Sequence, residues 1–247
     1  MYKRQAAAAT GRVAILEGGS IPPGETGLVP VVHSFACFLS ARPNEQIYNN
    51  ASEGTKVIYV GSLAGLLPGG PGHSHQAVRD ISVLATVPNL LLVEPCAEVE
   101  VAAILDFCLH ETEASSYIRL VSLGWSLPFT LPSDYTLRVG IGIEVRQGSD
   151  IVIFGAGPWL LANAYHAAEK LDREQGVTAR VVNLPWLNRV DSDWLRETVA
   201  GARRVVTLDT HNVDGGQGQM LAFNIARLGL AIPVTSLGVR ELSLIHI

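Results

Sequence analysis

The chain has 247 residues, a length that fits one large domain or two small ones. It is 48% hydrophobic and 17% charged, with 24 Gly and 13 Pro, which excludes collagen, a coiled coil and low-charge disorder. A net charge of −5 excludes the basic footprint of a nucleic-acid binder, and no apolar run is long enough to span a bilayer.

In chain order, short apolar runs alternate with helical patterns. Residues 30–32 lead into a helical stretch at 35–47, then a strand at 57–60 and a Gly/Pro/His loop at 65–75. A helix is expected at 76–84, a strand at 89–93, a helix at 98–108 and a strand at 116–120. Residues 123–147 carry Gly124, Pro128, Pro132, Gly140 and Gly142 and read as a linker or small hairpin. The second half opens with a strand at 150–154 and a Gly155-Ala156-Gly157-Pro158 turn. A helix at 159–175 follows, closed by Gly176. Then come a strand at 178–184, a helix at 191–200 capped by Asp191 or Ser192, and a strand at 204–208. A loop at 211–218, a helix at 219–228 and a strand at 233–236 complete the pattern.

Apolar strands between helices indicate α/β architecture: two doubly wound, mostly parallel-sheet domains. The expected division is 6–122, a linker at 123–148, and 149–241. Residues 1–5 and 242–247 resemble translated adapter sequence and are expected to be non-native tails, with the parent gene continuing on both sides. No signal peptide is read at the N-terminus, because Ala6-Ala7-Ala8-Ala9 is too short for an apolar core segment. Cys37, Cys96 and Cys108 are too widely spaced for a disulfide framework or a metal pair. They read as buried free thiols of a cytoplasmic protein.

Three segments could carry chemistry. Gly65-Leu66-Leu67-Pro68-Gly69-Gly70-Pro71-Gly72-His73-Ser74-His75-Gln76 lies between a strand and a helix, where α/β folds place ligands. His73 and His75 could begin a zinc site, though a third ligand is needed, or one of them could be aimed at a substrate. A phosphate loop would need a lysine that is absent here, and the bland alternative is a connection whose histidines cap the helix. Asp209-Thr210-His211-Asn212 with Gly215-Gly216 could bind an anion at a helix N-terminus. It reads better as a polar loop. Gly155-Ala156-Gly157 is similar to a dinucleotide fingerprint, but Leu160 replaces the third glycine and no acidic residue ends the next strand, so NAD binding is rejected. Phe35 and Phe38, at i and i+3, share a helix face, either for core packing or against a flat heteroaromatic ligand.

Taken in order, these segments resemble the transketolase family. The resemblance rests on the aromatic pair before Arg42 and Gln46, the Gly-Pro-Gly-His-Ser-His-Gln loop, and Val87-Pro88-Asn89-Leu90 with Glu94-Pro95. It continues through Tyr117-Ile118-Arg119-Leu120, Gly148-Ser149-Asp150-Ile151-Val152-Ile153 and the Asp209–Gly218 motif, and covers residues 6–241 as a pyrimidine-binding domain followed by the C-terminal domain. It implies thiamine diphosphate chemistry with transfer of a two-carbon ketol unit between sugar phosphates. It also implies Mg²⁺ held by a domain this chain lacks, a catalytic glutamate upstream of Ala6, and a homodimer or complementary N-terminal subunit. Phe35 and Phe38 match the positions that pack on the aminopyrimidine, and His75 matches the histidine that faces the substrate. Arg119 matches a sugar-binding arginine, with His73 and Arg42 as further substrate-binding candidates.

Pro71 stands where the family has an acidic residue, which bears on sugar selectivity. Residues 11–26 replace a shorter turn. They are expected to form a surface hairpin, although Glu17 and Glu25 are conceivable replacement catalysts. Deoxyxylulose-phosphate synthases and the β subunits of 2-oxoacid dehydrogenases share these domains. A non-catalytic transketolase-like binding module is the alternative of another class.

Overall fold

The computed structural model describes residues 13–17 and 28–240. The expected tails at 1–5 and 242–247, and Glu25, lie outside the described residues. The first sheet contains β1 (Val13–Glu17), β2 (Leu28–Phe35), β3 (Ile58–Ser62), β4 (Leu91–Val93) and β5 (Ser116–Arg119), in the order β1-β2-β3-β5-β4. All its pairings are parallel except β1 with β2. Every residue of β4 and β5 is buried, as expected for strands covered on both faces.

The intervening helices are α1 (Ala36–Ala41), α2 (Asn44–Ser52), α3 (Asp80–Leu84) and α4 (Glu98–Asp106), the last ending in a wider turn at Phe107–Glu111. The helical stretch expected at 35–47 is therefore two helices. Pro43 has no amide hydrogen to continue the helical bonding and its own backbone leaves the helical region at φ −93° and ψ 25°, so the chain restarts at Asn44. The helix expected from residue 76 begins only at Asp80. Ala77 is bridged to Gly65, and the Val78 carbonyl accepts from the Asn212 amide, so these residues are held outside the helix.

The second sheet contains β6 (Ile143–Arg146), β7 (Ile151–Gly155), β8 (Ala179–Asn183), β9 (Arg204–Asn212) and β10 (Val234–Val239), in the order β10-β9-β7-β8-β6. Only β6 is antiparallel. It lies within the stretch expected as a linker and forms an edge of this sheet, because its backbone can pair with β8. The helices are α5 (Pro158–Gln175), α6 (Ser192–Val199) and α7 (Gln217–Arg227). Gly176 ends α5 with φ +63°, and Asp191 caps α6 by accepting from the Trp194 amide at 2.8 Å.

The two units share a core. Phe107 of the first packs edge-on against Trp186 of the second at 5.5 Å, and both belong to one cluster with Leu91, Val93, Val152 and Phe154. The exposed edge of β4 is also closed by the second unit. The Glu94 amide donates to the Pro185 carbonyl, and the Leu187 amide to Leu92. Asn188 bonds the backbone of Leu90 and Leu92 through its side-chain amide.

Candidate active site

Three parallel strands of the first sheet end side by side. Phe35 at the end of β2 pairs with Ser62 at the end of β3, and Gly61 pairs with Arg119 at the end of β5. This is the carboxyl edge at which open α/β sheets present loops to ligands. Phe35 is the last strand residue and Phe38 lies in the first turn of α1, so the aromatic pair straddles a strand–helix junction and is not carried on one helix. Their ring centroids are 6.0 Å apart, and the His75 ring lies 5.8 Å from Phe35 and 5.1 Å from Phe38. Phe35 is 38% exposed, which leaves this three-ring wall open to a flat ligand. The Arg42 guanidinium covers Phe38 at 3.9 Å from the ring centroid.

His75 is presented by a loop pinned at both ends. Gly65 and Ala77 exchange amide–carbonyl hydrogen bonds at 3.0 and 3.2 Å, and the Gln76 side chain donates to the Leu66 carbonyl. Turns tie Gly72 to Gly69 and His75 to Gly72. Ser74 Oγ lies 3.0 Å from His75 Nδ1, leaving Nε2 as the ring atom available to a ligand. A cleft of about 510 Å³ is lined by Phe38, Arg42, His73, Ser74 and Gln76, together with Arg79, which sequence reasoning did not single out. Arg79 is exposed, and neither it nor Arg42 has a carboxylate partner among the described residues. Its only sign in the sequence was a cation just past the histidine loop. His73 is exposed at the cleft, and no group of three metal-ligating side chains occurs among the described residues. Glu17 pairs with Leu28, at the far end of β2 from Phe35, roughly 23 Å away at the usual rise of a strand.

Arg119 takes a different place from the one expected of a substrate ligand. It is 1% exposed and sealed inside the wall beneath the loop. Nε donates to Asp80 Oδ2 at 2.8 Å, while Nη1 donates to Glu94 Oε2 at 2.6 Å and Thr210 Oγ1 at 2.9 Å. Nη2 donates to the Ala77 carbonyl at 3.0 Å and reaches the Thr210 carbonyl at 3.5 Å. All five guanidinium hydrogens thus face protein acceptors. Tyr117 also donates to Asp80, whose Oδ1 has no partner among the described residues. Burial opposes the Arg119 charge, yet Asp80 and Glu94 hold its pKa above the ordinary value. Burial pushes Glu94 up, against the pull of Arg119. The sequence could not separate a buried arginine from an exposed one. The missing clue was the pair of carboxylates, 39 and 25 positions away, that neutralise it.

The second unit turns its glycine motifs inward. A Cβ on Gly157, at φ +75°, would collide with the Glu94 carboxylate, so the glycine of the apparent fingerprint admits a protein side chain. The expected polar loop at 209–212 is instead the end of β9. Asp209 accepts from the Gln217 and Gly218 amides, both at 2.9 Å, at the N-terminus of α7. The anion position of that helix is therefore filled by the chain's own carboxylate. Burial pushes Asp209 up to about 6 despite these two donors. His211 Nε2 accepts from the Ser82 amide at 3.3 Å, and its Nδ1 lies 2.7 Å from the Asn212 carbonyl, an arrangement that fits the neutral ring. Burial lowers its pKa, while the nearby Asp80 charge works the other way.

Comparison with known proteins agrees with this architecture. Residues 23–121 match the model for the transketolase pyrimidine binding domain, and residues 140–246 match that for the transketolase C-terminal domain. A 1-deoxy-D-xylulose-5-phosphate synthase of Thiobacillus denitrificans is 32% identical over 222 residues, covering 89% of this chain and 34% of that protein. An uncharacterised transketolase family protein of Sinorhizobium fredii is 34% identical over 205 residues, covering 81% of this chain and 57% of that protein. A solved split-gene transketolase, an inactive β4 tetramer, superposes with a TM-score of 0.76 at 31% identity, covering 85% of this chain and 66% of the other. The chain spans about a third of the length of the curated synthases it matches. Two successive domain models of one family, together with these relatives, show that the chain belongs to the transketolase family.

Proposed function

We propose that this chain supplies the aminopyrimidine-binding half of a thiamine diphosphate site in a transketolase-type enzyme, which moves a two-carbon ketol unit between sugar phosphates in the cytoplasm. The observation that carries this reading is the wall of Phe35, Phe38 and His75 at the carboxyl edge of a parallel sheet. The residues fit a flat heteroaromatic ring. Phe35 offers an open face, Phe38 is backed by Arg42, and His75 keeps Nε2 directed away from its Ser74 partner. When bound, the cofactor would supply the electron sink for carbon–carbon bond cleavage. Phe35 and Phe38 would orient it. His75 would hydrogen-bond a substrate oxygen or hold a proton near it. Arg42 and Arg79, with His73 beside them, would receive an anionic substrate group in the cleft, the place first expected of Arg119. Mg²⁺, the diphosphate and the activating glutamate would come from a complementary N-terminal subunit or domain, in a homodimer or a two-subunit assembly.

The synthase relatives favour a second reading, in which the same half-site serves a deoxyxylulose-phosphate synthase. Calorimetric titration of thiamine diphosphate with Mg²⁺ tests the shared part. Binding is expected when the chain is combined with a complementary N-terminal transketolase subunit, and Phe38→Ala is expected to weaken it. No heat in any combination would remove the cofactor reading and leave a binding module. Turnover with a ketose phosphate donor then supports the transketolase, and turnover with a 2-oxo acid donor supports the synthase.

A further inference from the structure

None of the residues lining the cleft beside the histidine loop comes from the second unit. Yet the end of β9 and the turn after it touch the loop that carries His75 at both ends. Gly65, where the loop begins, has φ +77° and lies so close to Thr210 that a Cβ would collide with its Oγ1 and Cβ. Two residues past His75, the Ala77 carbonyl accepts from Arg119, whose Nη1 is itself fixed by Thr210 Oγ1. The Val78 carbonyl then accepts from the Asn212 amide at 2.8 Å, and the Ser82 amide donates to His211. Gly215 packs against the Ser82 side chain at the start of α3. Between these anchor points, residues 66–74 are held mainly by their own turns.

We infer that the end of β9 is a positioning clamp, in which Thr210, acting through Arg119 and Gly65, fixes where the loop presents the His75 imidazole. The second unit would then govern the site without contributing a group to it. Thr210 is a positioning residue on this reading. Its hydroxyl is one of two side-chain acceptors on Nη1, so losing it frees the guanidinium to swing toward Glu94 and release the Ala77 carbonyl. A β-branched shape at 210 preserves the packing on Gly65, which separates the hydrogen bond from the volume.

Thr210→Val in the full chain, followed by amide hydrogen exchange, tests the clamp. The Gly65 and Ala77 amides are expected to exchange about tenfold faster, with β7 and β8 unchanged, and Thr210→Ser is expected to restore the wild-type rates. Unchanged exchange at Gly65 and Ala77 would overturn the inference. So would acceleration of all amides by one factor, since that reports only a less stable fold. In the reconstituted enzyme, Thr210→Val is expected to lower kcat severalfold while thiamine diphosphate affinity stays level. The importance given to His75 rests on the function proposed above, whereas the exchange measurement needs no cofactor. A null turnover assay with a positive exchange result would therefore indict the function and not the clamp.

Discussion

Each sheet has five strands, four parallel and one antiparallel at an edge, yet the carboxyl edges of the two are used in opposite ways. The first keeps an open cleft walled by Phe38, Arg42, His73 and Arg79, with cations that have no carboxylate partner among the described residues. The second has its carboxyl edge filled by carboxylates of the chain itself. Asp209 occupies the N-terminus of α7, and Glu94 of the neighbouring unit occupies the Gly157 turn. Two sheets of similar construction therefore serve as a site in one unit and a buttress in the other, and side chains decide which. An anion pocket can be recognised in a fold and already be satisfied from within.

The sharpest break in this contrast is Arg119 against Arg42. Replacing Arg119 with Met leaves Asp80 and Glu94 buried without their cation. It is expected to cost about 3–5 kcal/mol in urea unfolding. Arg42→Met removes only a stacking contact and is expected to cost about 0.5–1 kcal/mol. Equal losses would mean that the cleft arginine is also structural. Next is Gly157→Ala, which forces a side chain into left-handed backbone and onto Glu94. A loss of about 2–3 kcal/mol is expected from the midpoint of denaturation. A neutral result would show that the turn can relax, and would weaken the case that its glycine exists to admit Glu94.

A smaller effect should follow pH. The folded pKa of His211 lies below the unfolded value of about 6.5, so below that pH the unfolded chain binds a proton that the folded chain refuses. Unfolding free energy is expected to fall as pH drops through this range and to level off below the folded pKa. His211→Gln, which keeps an acceptor but does not titrate there, should flatten that part of the curve. The smallest stability effect is expected for His75→Ala, within about 0.5 kcal/mol by thermal melting, because the ring is only partly buried and bonded to a neighbour. Its effect on turnover in the reconstituted enzyme should be far larger than on cofactor affinity.

Periodicity and turn chemistry located most elements, because apolar strands such as Leu91-Leu92-Val93 and caps such as Asp191 and Gly176 are decided locally. The errors fell where distant groups decide. The helix expected at residue 76 is delayed by bonds from Gly65 and Asn212. Residues 209–212 became strand because Val239 pairs with Asn212 on one side, and the Asp209 carboxylate reaches forward to α7. The aromatic pair and His75 were legible as a set because their partners lie in short segments. Arg119 was legible as a special residue but not as a buried one, since its setting is assembled from three separate stretches of chain. Arg79 carried no local mark beyond its charge.

The closure of β4 by residues 185–188 bears on how genes of this kind can be cut. A break in the reading frame between β5 and β6 would yield one product with a bare sheet edge and a buried Arg119 facing no Thr210. The other product would carry a Trp186 with nothing to pack on. Each half would be prone to aggregate before it met the other. The pair is therefore expected to be inherited, fused and recombined as one cassette, with its viable seams lying outside it.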